Sequence, residues 1–177
     1  LERVRNRVAA AGVRNAEFVA SDLTEHLGSS QYDVVLAIEC LVEIEDDRRA
    51  LQMLAAALAP EGLLLVHVPA RDWRPVLSSS PPIWRHEVRH GYDRAELERM
   101  IEEAGLLVVE TRGSYRRLVQ LAQEMRDRIK TAPTWSRALA LPPMMLAVWL
   151  ERAGLTWGSE QAVFVVAVRP PDAPDQT

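Results

Sequence analysis

Acidic and imidazole side chains lie at or near the ends of several apolar segments of strand length. Asp22 follows the segment Glu17–Ser21, Glu39 follows Tyr32–Ile38, and His67 stands near the end of another such segment. A carboxylate accepts hydrogen bonds from amines and hydroxyls, and an imidazole takes up a proton near neutral pH. In an open parallel sheet, ligands bind where the carboxyl ends of strands meet. These residues therefore indicate binding and proton-transfer chemistry at that edge of a sheet.

Each candidate also has a structural interpretation. Glu39 and Glu43 fit solvated loop acids, and Asp22 fits a turn or a helix cap. His67 and His90 fit histidines that only pack or face water. The lone Cys40 fits a small buried apolar residue, because no neighbouring base can be named for it. We predict no metal site.

Strands and helices alternate over most of the sequence. Apolar runs bounded by turn residues predict strands at 17–21, 32–38, 63–68, 106–111 and 162–168. Helical periodicity, with Asp46, Asp47 and Asp93 as start signals, predicts helices at 1–11, 46–58, 93–104, 118–129 and 136–153. This alternation is typical of a mostly parallel sheet with right-handed crossovers.

A helical insertion at 113–158 interrupts the alternation before the last strand. Its most apolar part contains Pro142 and Pro143, which predict either a broken buried helix or an interfacial segment. We expect one domain over 1–169 and a disordered tail at 170–177. The sequence begins with Leu1 inside a helical pattern, from which we expect a fragment of a longer protein.

Composition narrows the classes of function. The chain has 177 residues, 48% of them hydrophobic, and a formal net charge of -4, so a basic footprint for nucleic acid is lacking. No apolar run is long enough to cross a bilayer, although a peripheral membrane contact stays open. A single cysteine and the lack of a signal peptide favour a cytoplasmic protein.

Four motifs in order carry a family resemblance. They are the strand and acidic turn Tyr32–Glu43, the turn Leu58–Gly62, the strand Leu63–Pro69 and the loop segment Arg89–Asp93. Together with their spacing, they resemble the carboxyl-terminal part of class I S-adenosylmethionine-dependent methyltransferases. The two acids of the first motif are similar to the Glu-x-Leu-Glu-His pattern of quinone-type O-methyltransferases, shifted by one residue.

The resemblance implies an α/β fold with a Rossmann-like methyltransferase sheet of strand order 3-2-1-4-5-7-6. That sheet is mostly parallel with an antiparallel last strand, and its first two strands are absent from this chain. The cofactor implied is S-adenosylmethionine. By resemblance, Asp22 meets the adenine amino group with the backbone of Leu23 alongside, and Ile38, Glu39 and Glu43 border the methionine end.

The same resemblance places His67 near the expected acceptor pocket and His90 in the loop that covers it, so both are candidate general bases. The methyl acceptor implied is a small, partly apolar molecule, and the oligomeric state is left open.

The chain departs from the family pattern at three places. Ile44 stands where a histidine is usual, and Glu61 replaces one glycine of the usual turn. The glycine-rich loop that lets backbone approach the cofactor is missing, and no two glycines here are spaced to replace it. We therefore expect strand four to have an open edge, and this chain alone to bind the cofactor poorly and to be inactive.

Two other functions stay open. One is a non-catalytic, methyltransferase-like assembly module. The other is an NAD(P)-dependent oxidoreductase, although the chain lacks the Tyr-x-x-x-Lys pattern that short-chain enzymes of this kind use: Tyr32, Tyr92 and Tyr115 are not followed by lysine at that spacing.

Overall fold

The computed structural model describes residues 2–25, 27–77, 88–131, 133–155 and 158–171. Its helices are α1 (Glu2–Ala10), α2 (Asp47–Ala57), α3 (Arg94–Glu103), α4 (Arg117–Ile129) and α5 (Thr134–Arg152). Its strands are β1 (Tyr32–Ile38), β2 (Leu58–Pro69), β3 (Leu107–Ser114) and β4 (Ala162–Val168), with a 3₁₀ turn at Leu41–Glu43. The predicted tail lies outside the described residues from 172 onward, and the division into one domain and a tail stays a prediction.

The four strands form one sheet in the order β1-β2-β4-β3. β1 and β2 are parallel, and β4 is antiparallel to both of its neighbours. Three strands therefore run in one direction and the last strand runs against them. This arrangement confirms the predicted Rossmann-like fold class and matches the expected order 4-5-7-6.

One face of the sheet is covered by α2 and α3. Asp46 caps α2 by accepting a hydrogen bond from the backbone N–H of Arg49 at 2.9 Å, as its sequence position predicts. Leu51 of α2 and Leu97 of α3 are fully buried against strand residues such as Val66. This layer is the hydrophobic core, and it fixes the orientation of β1 and β2.

The opposite face of β1 is exposed. Val34, Leu36 and Ile38 alternate along this face and are 52%, 60% and 58% exposed. Among the strands that the structure describes, β1 pairs only with β2, so its other edge carries unpaired backbone groups. The expected open edge is therefore present in the described part of the molecule.

The predicted strand at 17–21 is wrong, because the described backbone there is neither strand nor helix. A strand needs a neighbour to complete its hydrogen bonds, and none of the described strands pairs with this segment. The predicted strand starting at Leu63 is too short, since β2 begins at Leu58. The turn at Pro60–Gly62 is a distortion within β2, with Glu61 at a φ of 62°.

The insertion contains two helices that pack together, α4 and α5. Glu151 of α5 accepts hydrogen bonds from the backbone N–H groups of Arg116 and Val119 and so caps the start of α4. The predicted broken buried helix is wrong, because α5 continues through Pro142 and Pro143 and has no buried residue among those described. A proline removes one backbone donor, but its φ is compatible with a helix.

Candidate active site

The parallel register of β1 and β2 brings an acid beside a histidine. Ile38 pairs with His67, so Glu39, the next residue, reaches the carboxyl end of β2. The backbone N–H of Glu39 donates to the carbonyl of His67 at 2.8 Å, and its Oε1 lies 2.6 Å from His67 Nδ1. Glu39 has a φ of 56°, a conformation that costs free energy for a non-glycine residue. The turn after β1 thus holds Glu39 against His67.

The other side of the imidazole meets the end of β3. His67 Nε2 lies 2.7 Å from Ser114 Oγ, and the ring of Tyr115 packs edge-on with its centroid 5.4 Å away. Tyr115 also has a left-handed backbone, with a φ of 52°. His67 of β2 is therefore held between Glu39, which follows β1, and Ser114 of β3, with β4 lying between β2 and β3.

The hydrogen-bond partners of His67 determine which ring nitrogen carries the proton when the imidazole is neutral. A carboxylate accepts and does not donate, so His67 Nδ1–H donates to Glu39, and Nε2 accepts from the Ser114 hydroxyl. The His67 side chain is 13% exposed and that of Glu39 is 48% exposed. The carboxylate thus faces water while the imidazole is mostly enclosed.

A cavity of about 680 Å³ opens beside the side chains of Glu39, His67 and Tyr115. The carboxyl ends of β1 and β2 form one wall, and the segment Trp73–Pro75 and α4 form others. The lining residues that matter here are Ile38, Glu39, His67, His90 and Tyr115. Both predicted histidines therefore line the same cavity, at the sheet edge where ligand binding is expected.

The loop wall is fastened to α4. Glu124 accepts hydrogen bonds from the backbone N–H groups of Val76 and Leu77 at 2.8 and 2.9 Å. Burial disfavours the charge on Glu124, but these bonds and one from Gln120 hold the pKa of its carboxyl below its usual value. The His90 ring packs on Trp73, with the centroids 5.8 Å apart. These contacts shape the side of the cavity that faces the sheet edge.

Three predicted cofactor-site residues lie elsewhere. The Asp22 carboxylate is exposed and accepts from the backbone N–H and the hydroxyl of Thr24, which lower the pKa of Asp22. Leu23 packs on the core, and Glu43 is exposed in the 3₁₀ turn. None of the three lines the cavity. Their predicted roles in cofactor binding stay predictions.

Sequence reasoning missed Ser114 and Tyr115. It ended the strand at Thr111, whereas β3 continues to Ser114. The identity of a residue near a strand end does not show which distant side chain it will contact. Only the register of β3 on β4 and of β4 on β2 relates Ser114 to His67, and that register was not read from the sequence.

Comparison with known proteins identifies the family of this chain. Residues 2–111 match the sequence profile of a family described as "Methyltransferase domain". The chain belongs to this methyltransferase-domain family. The suspected resemblance is thereby confirmed. Among curated proteins, none matches the sequence.

Solved structures of low sequence identity share the fold of this family member. The [4+2]-cyclase SpnF is 15% identical with a TM-score of 0.60, over 94% of this chain and 61% of the cyclase. An S-adenosylmethionine-dependent methyltransferase from Mesorhizobium loti is 16% identical with a TM-score of 0.57, over 96% and 77%.

A third structure is Haemonchus contortus phosphoethanolamine N-methyltransferase 2 in complex with S-adenosyl-L-methionine. It is 19% identical with a TM-score of 0.56, over 84% of this chain and 36% of that enzyme. This chain thus spans about three fifths of the cyclase and about one third of the nematode enzyme. At these identities the likeness concerns the fold alone.

Proposed function

We propose that the full-length protein transfers a methyl group from S-adenosylmethionine to a small molecule, and that the accepting atom loses a proton to His67. The observation that carries this proposal is the Glu39–His67 pair in the wall of the cavity, at the carboxyl ends of β1 and β2. Family membership supports the reaction class. The cyclase neighbour is a reminder that fold alone does not set the reaction.

The donor and acceptor groups fit the cofactor. S-adenosylmethionine presents an ammonium group, ribose hydroxyls and an adenine amine, all of which donate hydrogen bonds. Carboxylates that accept them are available at the exposed Asp22 and at Glu39. We propose Asp22 and Leu23 for the adenine and Ile38, Glu39 and Glu43 for the methionine end. The bound cofactor supplies an electrophilic methyl group on a positively charged sulfur.

His67 and Glu39 manage the proton in this proposal. A general base contributes about 10²- to 10⁴-fold in rate when it is positioned at the proton it removes. When His67 gains a proton, the Glu39 carboxylate lies 2.6 Å from Nδ1 and stabilises the imidazolium. His90 is the second candidate base, because it lines the same cavity from the loop.

Calorimetric titration with S-adenosylhomocysteine tests this function in the full-length protein. We expect Asp22→Ala and Glu39→Gln each to weaken binding about tenfold, since each removes about one hydrogen bond to a charged group. Glu45→Gln, which changes an exposed acid in the same loop, serves as the control. Absence of binding to the wild-type protein would refute the proposal.

The same titration on residues 1–177 tests whether this chain alone is impaired. We expect much weaker binding than in the full-length protein, because among the described strands β1 has no partner on its open edge, where the family resemblance implies further strands. Equal affinity would show that this expectation is wrong.

A non-catalytic assembly module is the second candidate function. The apolar side chains exposed on β1 support it, because such a surface is suited to contact with another protein. Tight binding of S-adenosylhomocysteine by the full-length protein would count against it.

A further inference from the structure

The helical insertion differs in charge from the rest of the chain. Residues 113–158 contain seven lysines and arginines but only three acids, which gives this segment a formal net charge of +4. The whole chain carries -4, so the residues outside the insertion carry -8 together. An anionic surface therefore attracts the insertion and repels the remainder, and it meets the molecule with the insertion first.

Helix α5 exposes a broad apolar face. The segment 138–150 contains no charged residue. Six large apolar side chains of α5 are between 38% and 70% exposed. They are Leu139, Leu141, Met145, Leu146, Val148 and Trp149. At 3.6 residues per turn, these six positions fall within one half of the helix circumference. An exposed apolar face of this kind is suited to contact with a membrane or another protein.

The opposite half of α5 packs on α4. Ala140, Met144 and Ala147 lie on that half and are half-buried. Glu151 near the end of α5 caps the start of α4, so the two helices form an antiparallel pair. We call α4, α5 and the turn between them the α4–α5 hairpin. Its internal packing leaves the apolar half of α5 uncovered by any residue that the structure describes.

Basic side chains flank this apolar face at both ends. Arg126, Arg128 and Lys130 are exposed at the end of α4, beside the start of α5. Arg152, the last residue of α5, is exposed at the other end. The exposed apolar face of β1 has no such cations, because Asp33 is the only charged residue within that strand. Charge therefore distinguishes the hairpin from the other exposed apolar surface.

We propose that the α4–α5 hairpin docks on an anionic lipid bilayer, with α5 lying in the plane of the interface. At 1.5 Å per residue the uncharged segment 138–150 is about 20 Å long, which is shorter than the bilayer's hydrocarbon core of about 30 Å. Its apolar half enters the boundary of the acyl chains, and the flanking cations meet the lipid phosphates. The amphipathic ring of Trp149 suits the headgroup level.

The hairpin also forms part of the cavity wall. Arg128 and Lys130 line the cavity, so the docking surface and the cavity share the cationic end of the hairpin. The docking itself goes beyond the proposed methyl transfer and needs neither a cofactor nor an acceptor. Loss of vesicle binding and loss of S-adenosylhomocysteine binding are therefore separate results.

Vesicle flotation of the full-length protein tests the docking surface. The vesicles consist of phosphatidylcholine alone or of an equimolar mixture with phosphatidylglycerol. We expect the wild type to float with the mixed vesicles, to bind phosphatidylcholine much more weakly, and to leave the mixed vesicles at high salt, which screens the charges. Absence of binding to the mixed vesicles, or equal binding to both kinds, would overturn the proposal.

A double variant, Leu146→Gln with Trp149→Gln, removes two side chains from the apolar face. We expect its affinity for the mixed vesicles to fall about tenfold, because the lost side chains no longer leave water on binding. The matched control is Val109→Gln, at an exposed apolar residue of β3, which should bind like the wild type. Unchanged binding in the double variant, or the same loss in the control, would show that α5 is not the docking surface.

A second double variant, Lys130→Gln with Arg152→Gln, leaves the apolar face intact. It should weaken binding to the mixed vesicles about tenfold and leave binding to phosphatidylcholine unchanged, because each cation near an anionic surface contributes to the attraction. Equal binding of this variant and the wild type to the mixed vesicles would contradict the role of charge.

Light scattering without lipid tests a second copy of the chain as the alternative occupant of the face. We expect the wild type and Leu146→Gln with Trp149→Gln to have the same oligomeric state. A wild-type oligomer that this variant dissociates would show that another copy covers α5, and it would overturn the bilayer as the partner.

Discussion

Two clusters of charged and polar side chains in this molecule differ in what surrounds them. In the first, His67 contacts both Glu39 and Ser114, and Glu39 and His67 line an open cavity. In the second, Tyr92 OH donates to Asp47 at 2.8 Å, and Arg89 donates to the same carboxylate at 2.7 Å.

The second cluster is closed on itself. Arg89 also donates to Glu96 at 2.8 Å and stacks over the Tyr92 ring at 4.0 Å. Burial and the hydrogen bond to Asp47 raise the pKa of Tyr92. Burial opposes the charge on Glu96, but Arg89 and Arg71 hold the pKa of its carboxyl below its usual value. This cluster ties the start of α2 to the start of α3, and its charged groups are paired with one another.

This difference indicates which polar cluster stabilises the fold and which one can take part in a reaction. Both contain a carboxylate with a close partner, so ion pairing alone does not separate them. The cavity cluster has a water-facing acid, a base beside open volume and two residues with strained backbone. Mutations should therefore affect stability at the closed cluster and activity at the open one.

The largest effect on stability is expected from Asp47→Ala. This change leaves the Arg89 guanidinium and the Tyr92 hydroxyl without their common acceptor in a largely buried site. We expect the free energy of unfolding to fall by about 3 kcal/mol, measured by denaturant titration. His67→Gln is the contrasting variant and should cost about 1 kcal/mol or less. Equal losses in the two variants would break the distinction between the clusters.

Tyr92→Phe should have a smaller effect of the same kind. It removes one hydroxyl that donates to Asp47 and lies 3.2 Å from the Leu41 carbonyl. We expect a loss of about 1–2 kcal/mol in the free energy of unfolding. The matched control is Tyr115→Phe at the exposed, cavity-lining tyrosine, which should change stability by less than about 0.5 kcal/mol. A larger loss at Tyr115 would assign the cavity cluster a structural role.

Glu124→Gln tests how firmly the loop wall is attached to α4. The amide keeps one acceptor oxygen for two backbone donors, so we expect a loss of about 1 kcal/mol near pH 7. Because folding lowers the pKa of Glu124, the stabilisation is present above the unfolded pKa and is lost as pH falls through the folded value. The difference in the free energy of unfolding between wild type and Glu124→Gln should thus shrink as the pH falls below the usual pKa range of a glutamate. A difference that stays constant with pH, or that matches the exposed control Glu102→Gln, would contradict this attachment.

The smallest expected effect concerns the reactivity of the Cys40 thiol, and Cys40 directly follows Glu39. Burial is the main cause that raises the pKa of its thiol, with the nearby charges of Glu43 and Glu39 adding to it. We expect iodoacetamide to modify Cys40 more slowly than free cysteine near pH 8, in the folded protein. Faster modification would mark Cys40 as a reactive group of the site.

The sequence was most informative where the signal is local. Asp46 and Asp93 cap α2 and α3 as predicted, and the last strand has the predicted bounds Ala162–Val168. These features depend on a short side-chain contact or on an uninterrupted apolar run. The fold class followed from the alternation of such elements and from the family resemblance.

Features that depend on distant partners were harder to predict. The segment 17–21 has strand composition, but pairing with a neighbour decides whether a strand forms. Ser114 reaches His67 only through two successive strand registers. Pro142 and Pro143 suggested a break, yet α5 contains both. The site residues at the ends of β1 and β2, Glu39 and His67, were therefore predictable from the sequence. Those at the end of β3, Ser114 and Tyr115, were not.

The most direct test of the account is a crystal structure of the full-length protein with S-adenosylhomocysteine bound. We predict that the ligand sulfur points into the cavity lined by His67 and Tyr115, with Glu39 retaining its contact to Nδ1 of His67. A ligand bound at the closed cluster or at another surface, or one whose sulfur points away from His67, would contradict the assignment of this cavity as the site of methyl transfer.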